Sequence, residues 1–403
     1  MSARDFFATT AKGMEGLLAA ELRDLGATEV AERRAGVGWR SPLDVAYRAT
    51  LWSRVANRIL LPLGEFAAPT PEALYAGVRA IRWGDHIERG RTMAVDASLS
   101  RSRITHSHFA ALKTKDAIVD QLRDERGVRP NIDPRRPDVQ VNLYLHDDHA
   151  VVSIDFSGES QHRRGYRTAG AAAPLKENLA AALLLLAEWP RRARAGEALI
   201  DPLCGSGTIA LEAALIAGDV APGLRREYFG CTGWRGHDAE LWARLRHEAE
   251  ARATHGLRRL PPIHAYDVDA RAVRAAQANL AAADLSRRVH VERRALADCA
   301  PVAARGQAQG GIVVTNPPYG ERLGEVEQLA PLYAQLGDLL RRRFPGWTGY
   351  VLTGTPALAK RIGLRPARRI PLYNGPIECR LLEFPISATP VRDDAGPRWR
   401  RDS

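Results

Sequence analysis

The chain has 403 residues, 45% of them hydrophobic, which is enough for two or three domains with real cores. No apolar run reaches membrane length, the start "MSARDFFATTAKG" lacks the apolar stretch of a secretory leader, and four scattered cysteines (Cys204, Cys231, Cys299, Cys379) form no CxxC pair. These features argue against a spanning protein, a disulfide framework and a zinc site, and fit a reducing cytoplasm. The formal charge of +11 and a pI near 9.8 favour a polyanion partner, nucleic acid above all, although arginine-rich composition alone would also produce them.

In chain order, "DFFATT" (5–10) reads as a short strand and "GMEGLLAAELRDLG" (13–26) as a helix stopped by Gly26. "EVAERRAGVGW" (29–39) looks like a hairpin, and 43–66 like an amphipathic helix leading into a strand. After Pro71 the mixed pattern repeats. "RTMAVDAS" (91–98) is a strand, residues 106–125 are helical, and 139–158 form a hairpin turning at Asp147–Asp148. A basic, glycine-bearing stretch (157–173) then runs into a helix expected to start near Pro174.

From there the grammar becomes strand–helix alternation. Strands are expected at 198–201, 263–267, 289–293, 311–315 and 350–353, and helices at 207–217, 269–283 and 329–343. That is an α/β doubly wound parallel sheet of Rossmann-like type. "RRIPLYNGPIECRLLEFPI" (368–386) adds a hairpin around Asn374–Gly375, the antiparallel ending of a class I methyltransferase rather than of a nicotinamide domain. The tail after Pro390 is expected to be mobile.

Three motifs carry chemistry. "LIDPLCGSGTIALEAALIA" (199–217) is a strand, a glycine turn and a helix. Gly205 and Gly207 let backbone approach a ligand, the helix start offers free N–H groups, and Asp201 is placed to accept from an ammonium. Ala210 replaces the third glycine of a dinucleotide fingerprint, and no GK[ST] follows, so neither that motif nor a P-loop is present. A plain strand–helix turn capped by Ser206 or Thr208 is the bland alternative. In "IHAYDVDARAV" (263–273), Asp267 ends the second strand, where an acid takes ribose hydroxyls, while Asp269 caps the next helix. After the third strand Asp298 is the nearest carboxylate for an adenine, equally readable as a solvent-facing acid because Ala295 holds the strand end.

"GIVVTNPPYGERLG" (311–324) follows the fourth strand. Pro317 and Pro318 donate no hydrogen bonds, so the loop offers acceptors only: the Asn316 side-chain oxygen and the Pro317 carbonyl. Two fixed acceptors hold an exocyclic NH2, draw its lone pair out of conjugation and aim it at a methyl donor, while Tyr319 stacks on the base. The base must leave its stack to reach them. A stiff turn is the bland alternative. Basic candidates for phosphate contact are Arg101 and Arg103 in "SRSRITHSHF", Lys113 on the following helix, Arg135 and Arg136 in "RGVRPNIDPRR", and Arg163 and Arg164 in "HRRGYR". Charge runs are also commonly just solvated. The eleven histidines show no metal-ligand spacing, so no metal is expected.

"HRRGYR", "APLKENLAAALLL", "DPLCGSGTIALEAA", "VVTNPPYGERLG" and "YNGPIECRLLEF" together resemble the THUMP-bearing RNA guanine-N2 methyltransferases, the group with the large-subunit ribosomal RNA enzymes. The resemblance implies a ferredoxin-like domain over 1–66, a THUMP-like RNA-binding domain over 67–158, a linker and leading helix over 159–188, a methyltransferase domain over 189–388 and a tail over 389–403. It implies S-adenosylmethionine as cofactor and N2 of a guanosine in 23S rRNA as target. It places Asp201, Cys204, Gly205, Gly207, Thr208, Asp267 and Asp298 at the cofactor, and Asn316, Pro317, Pro318 and Tyr319 at the amine. Well-known bacterial members carry a second methyltransferase domain, and no second activity is expected here. A tRNA guanine-N2 methyltransferase and a non-catalytic RNA-binding assembly factor are the alternatives. DNA adenine methylation lacks a DNA-reading domain, and a dehydrogenase lacks its fingerprint. The oligomeric state is open, with a monomer as the default.

Overall fold

Residues 3–168, 175–303, 310–320 and 323–388 are described by a computed structural model. The helix start expected near Pro174, Glu321–Arg322 of the proline motif and the tail after Pro390 lie outside the described residues. Two compact units divide the chain. The first holds the described residues of 1–167, 176–182 and 218–258; the second holds those of 168–175, 183–217 and 259–403.

The first unit opens with β1 (Arg4–Thr9), α1 (Glu15–Asp24), β2 (Thr28–Arg33), β3 (Gly36–Ser41), α2 (Leu43–Trp52) and β4 (Arg58–Ala67). It continues with α3 (Pro71–Arg79), β5 (Thr92–Ser100), α4 (Ser107–Arg126), β6 (Asn131–Ile132), β7 (Val139–His146) and β8 (His149–Asp155). The eight strands lie in the order β2-β3-β1-β4-β8-β7-β5-β6. Local chemistry explains the element ends. Gly26 sits at φ +97 after α1, a conformation open to glycine. Thr70 caps α3 by accepting from the Ala73 amide at 3.2 Å, with Pro71 at the first helical position. Asp147 and Asp148 both take positive φ, as a two-residue hairpin loop requires.

The rest of the chain supplies α5 (Glu177–Leu186), α6 (Trp189–Ala195), β9 (Ala198–Asp201), α7 (Thr208–Ala217), α8 (Ala239–Gly256), β10 (Ile263–Asp267), α9 (Ala270–Ala282), β11 (His290–Arg293) and β12 (Gly311–Thr315). It closes with α10 (Leu323–Arg343), β13 (Thr348–Thr353), α11 (Pro356–Arg361), β14 (Arg368–Asn374) and β15 (Ile377–Pro385). The second unit's sheet runs β11-β10-β9-β12-β13-β15-β14. Strands β9 to β13 are parallel, and β15 runs antiparallel to both β13 and β14. Its core joins Ile200, Val313 and Val351 from the strands to Tyr333, Leu336, Leu340 and Phe344 of α10. The chain steps from β9 outward to β11 and then returns to the other side of β9, so the crevice above β9 and β12 is the point where a doubly wound sheet binds its ligands.

Several elements differ from expectation. Helix α8 comes from residues 218–258, which interrupt the strand–helix alternation yet belong to the first unit. Asp238 caps it by accepting from the Leu241 amide at 2.9 Å, and Trp242 meets Tyr47 of α2 edge-on at 5.2 Å. Arg48 and Glu248 form a two-pronged ion pair at 3.0 Å between the same helices. The terminal hairpin turns at Gly375–Pro376, one residue later than "NG" suggests, because Asn374 still pairs with Ile377.

Candidate active site

At the C-terminal end of β9 the chain leaves a buried strand and turns sharply. Gly205 and Gly207 stand at φ +53 and +79. A Cβ on Gly205 would meet nothing within 4 Å, so open space lies above the turn. The turn is anchored from beneath: the Cys204 amide donates to the Tyr266 carbonyl (2.8 Å) and the Gly207 amide to the Cys204 carbonyl (2.8 Å). Cys204 and Thr208 are buried, and burial pushes the Cys204 thiol well up. Their side chains therefore support the turn from within.

Asp201 is 1% exposed, and burial pushes its carboxyl up to about 7. The Leu203 amide donates to Oδ1 at 3.2 Å. The Thr315 hydroxyl lies near enough to lower the value somewhat but outside hydrogen-bond geometry, and Oδ2 has no partner. A buried carboxylate oxygen with nothing to accept from is costly in isolation. It is the place an incoming ammonium would fill.

Asp267 ends β10 half-buried. Its carboxylate is locked between two amides, Gly205 N–H on Oδ2 and Asp269 N–H on Oδ1, both at 2.9 Å. Each oxygen keeps a lone pair for hydroxyls. Asp269 accepts from the Arg271 amide at 2.8 Å, so it is the helix cap. Asp298 lies on a short turn (Leu296–Asp298) after β11, exposed, with no carboxylate partner among the described residues. Val268, 59% exposed beside Asp267, escaped the sequence reading. An apolar side chain held in water offers a flat ring a face to cover it.

Beyond β12, Asn316 is half-buried and its Oδ1 is buried without a partner. Pro317 is buried and Pro318 exposed, so the donor-free backbone expected from the two prolines is in place. Tyr319 is pinned at both ends: the Thr355 hydroxyl donates to its carbonyl at 2.7 Å, and Asn374 Nδ2 donates to its phenol at 2.6 Å. The Tyr319 phenol also lies against the Cys379 thiol. Sequence places Asn374 only in the terminal turn and gives no signal for Thr355. The hint for Asn374 was "YNGPIEC", whose asparagine would otherwise serve only the turn.

The basic candidates all fall in the first unit. Arg101 and Arg103 are exposed and paired with Asp147 (3.1 Å) and Asp148 (3.2 Å) at the β7–β8 turn. Lys113 sits over the Tyr75 ring at 5.1 Å. Arg135 is exposed, its amide donating to Asp133 at 2.9 Å. Arg136 and Arg163 are exposed, pair with Glu227 and Glu159, and line one cavity of about 290 Å3 with Arg225 and Tyr228. Arg164 corrects the sequence expectation. It is 3% exposed and spends its guanidinium on the backbone carbonyls of Gln161 (2.6 Å) and Arg54, so it braces the fold and cannot reach a phosphate.

Comparison with known proteins follows this geometry. Residues 5–60 match the RlmL ferredoxin-like domain, 68–155 the THUMP domain and 164–383 the RMKL-like methyltransferase domain, the last more than half of the chain. The chain belongs to the RMKL-like methyltransferase family. It is 54% identical over 384 residues to the ribosomal RNA large subunit methyltransferase K/L of Methylococcus capsulatus, covering 95% of this chain and 51% of that protein. The chain thus spans about half the length of the curated relatives it matches. Among solved structures it is similar to SMU.472 complexed with SAH (31% identity, TM-score 0.84, 96% of this chain and 99% of that one). It is also similar to a predicted N6-adenine-specific DNA methylase from Listeria monocytogenes (31%, TM-score 0.81, 95% and 96%). Within this family member, no described helix is long and apolar enough to cross a membrane, and no described cluster of His, Cys, Asp and Glu is placed to hold a metal ion.

Proposed function

We propose that this chain methylates the exocyclic N2 amine of a guanosine in 23S ribosomal RNA, with S-adenosylmethionine as donor. The observation that carries the reading is the orphaned, buried Asn316 Oδ1 beside two prolines whose nitrogens cannot donate, next to the crevice that holds the orphaned Asp201 Oδ2. The residues fit the cofactor: Asp201 answers an ammonium, the open space above Gly205 admits close approach, Asp267 takes ribose hydroxyls, and Val268 covers an adenine face, with Asp298 within the same strand-end loops to accept from the adenine amine. When bound, that cofactor supplies an electrophilic methyl on a sulfonium.

The chain's own residues do the rest. Asn316 Oδ1 and the Pro317 carbonyl each accept one N–H of the amine, which orients its lone pair at the crevice. Tyr319, clamped by Thr355 and Asn374, stacks on the base once it is out of its helix. After transfer N2 carries a positive charge and is acidic, so it releases one of these protons to water and no strong base is needed. The choice of ribosomal RNA is supported by the relatives' names and that of guanine by the motif resemblance, since a jaw of two acceptors grips any exocyclic amine. Labelled S-adenosylmethionine with undermodified 23S rRNA should place label on guanosine N2. An Asn316→Ala variant that methylates at the wild-type rate would sink the mechanism.

A further inference from the structure

We propose that a cavity of about 800 Å3 beside the proline jaw holds the phosphates of the single-stranded RNA that flanks the target guanosine. The inference rests on the functional reading above and adds a place for the strand that reading leaves unplaced. The cavity lies wholly in the second unit, between α11, the loop that follows it and one face of the β14–β15 hairpin. Four cations line it, Lys360, Arg365, Arg369 and Arg380, against one carboxylate, Glu378.

The charge has no internal answer. Arg380 approaches Glu378 at 3.9 Å, a loose exposed pair. Lys360, Arg365 and Arg369 are exposed and have no ion-pair partner among the described residues. Some surface arginines elsewhere in this unit are paired, as Arg191 with Glu188 at 2.7 Å and Arg294 with Glu292 at 2.7 Å. Cations that converge without counterions repel one another until a polyanion arrives. No aromatic side chain lines the cavity among the described residues, so it offers charge without stacking and suits phosphates rather than bases.

The cavity adjoins the site. Thr353 and Gly354, at the end of β13, form its wall. A Cβ on Gly354 would lie 3.0 Å from the Tyr319 ring, so wall and stacking ring are in direct contact. A strand whose base is drawn onto Tyr319 has its neighbouring phosphates within reach of this wall. Holding its backbone there offsets part of the cost of pulling the base from its stack.

The test is a Lys360→Ala, Arg365→Ala, Arg369→Ala triple variant of the full chain, assayed for binding and methylation of undermodified 23S rRNA across a salt series. The KM and Kd for RNA should rise roughly tenfold or more. The slope of log affinity against log salt should fall by about 2, since each lost single-strand phosphate contact removes about 0.7. Affinity for S-adenosylhomocysteine should stay at the wild-type value, which also shows that the fold is intact. An Arg342→Ala, Arg343→Ala control, on the last turn of α10 and outside the cavity lining, should change none of these. A triple variant with wild-type RNA affinity and slope overturns the inference, even if it loses affinity for an acidic polypeptide such as polyglutamate. A wild type that binds RNA through these cations but methylates none refutes the functional reading and leaves the cavity standing.

Discussion

Replacing Asp201 with asparagine should stabilise the cofactor-free protein while abolishing its cofactor site. Burial lifts this carboxyl from an ordinary 3.8 to about 7. Between those values the folded protein holds a proton that the unfolded chain has released, so stability falls as pH rises through that window and the full penalty remains above it. The whole penalty is ~4 kcal/mol. An amide in the same place carries a pH-independent burial cost instead. The difference in stability between Asp201→Asn and wild type should therefore grow by about 2–3 kcal/mol in favour of the variant from pH ~5 to pH ~8. For a folding unit of this size that is a relative rise in Tm of about 5–10 °C, read by circular dichroism without cofactor. Other buried acids, such as Asp155 and Glu21, cancel in the comparison. With saturating S-adenosylhomocysteine the order should reverse at pH ~8, because only wild type gains binding energy. A variant whose advantage is the same at both pH values would refute the claim that the carboxyl is held out of its charged form.

Asn374→Ala removes the donor on the Tyr319 phenol, and methyl transfer should slow about tenfold with unchanged affinity for S-adenosylhomocysteine; single-turnover rates decide it. Gly337→Ala tests packing. On an open helix it would stabilise by about 1 kcal/mol, but here the new Cβ would sit 1.7 Å from the Ile362 carbonyl, so denaturant melts should show a loss of about 1–3 kcal/mol.

What sequence revealed was local. A strand running into Gly205 and Gly207, a donor-free pair of prolines and a terminal hairpin are written in neighbouring residues, because backbone freedom and missing N–H groups act within a few positions. Contacts set by tertiary placement stayed hidden. Arg164 reads like its neighbour Arg163 until burial separates them. Asn374 looks like half of an "NG" turn until its amide is found on Tyr319. The cavity cations come from α11, a loop and two strands, so no window of sequence gathers them. Helix α8 was invisible as a partner of α2 because the residues it meets lie about 200 positions earlier.

The path of the chain between its two units sets a practical limit. It crosses from one to the other at 167–168, 175–176, 182–183, 217–218 and 258–259. A single cut after the THUMP match at residue 155 would strip α2 of Trp242 and Glu248, and would leave the remaining piece with an orphaned helix whose apolar face was shaped for a neighbour now missing. Sequence modules and folding modules therefore have different borders here. Grafting this N-terminal half onto another enzyme would need three separated stretches of chain carried together.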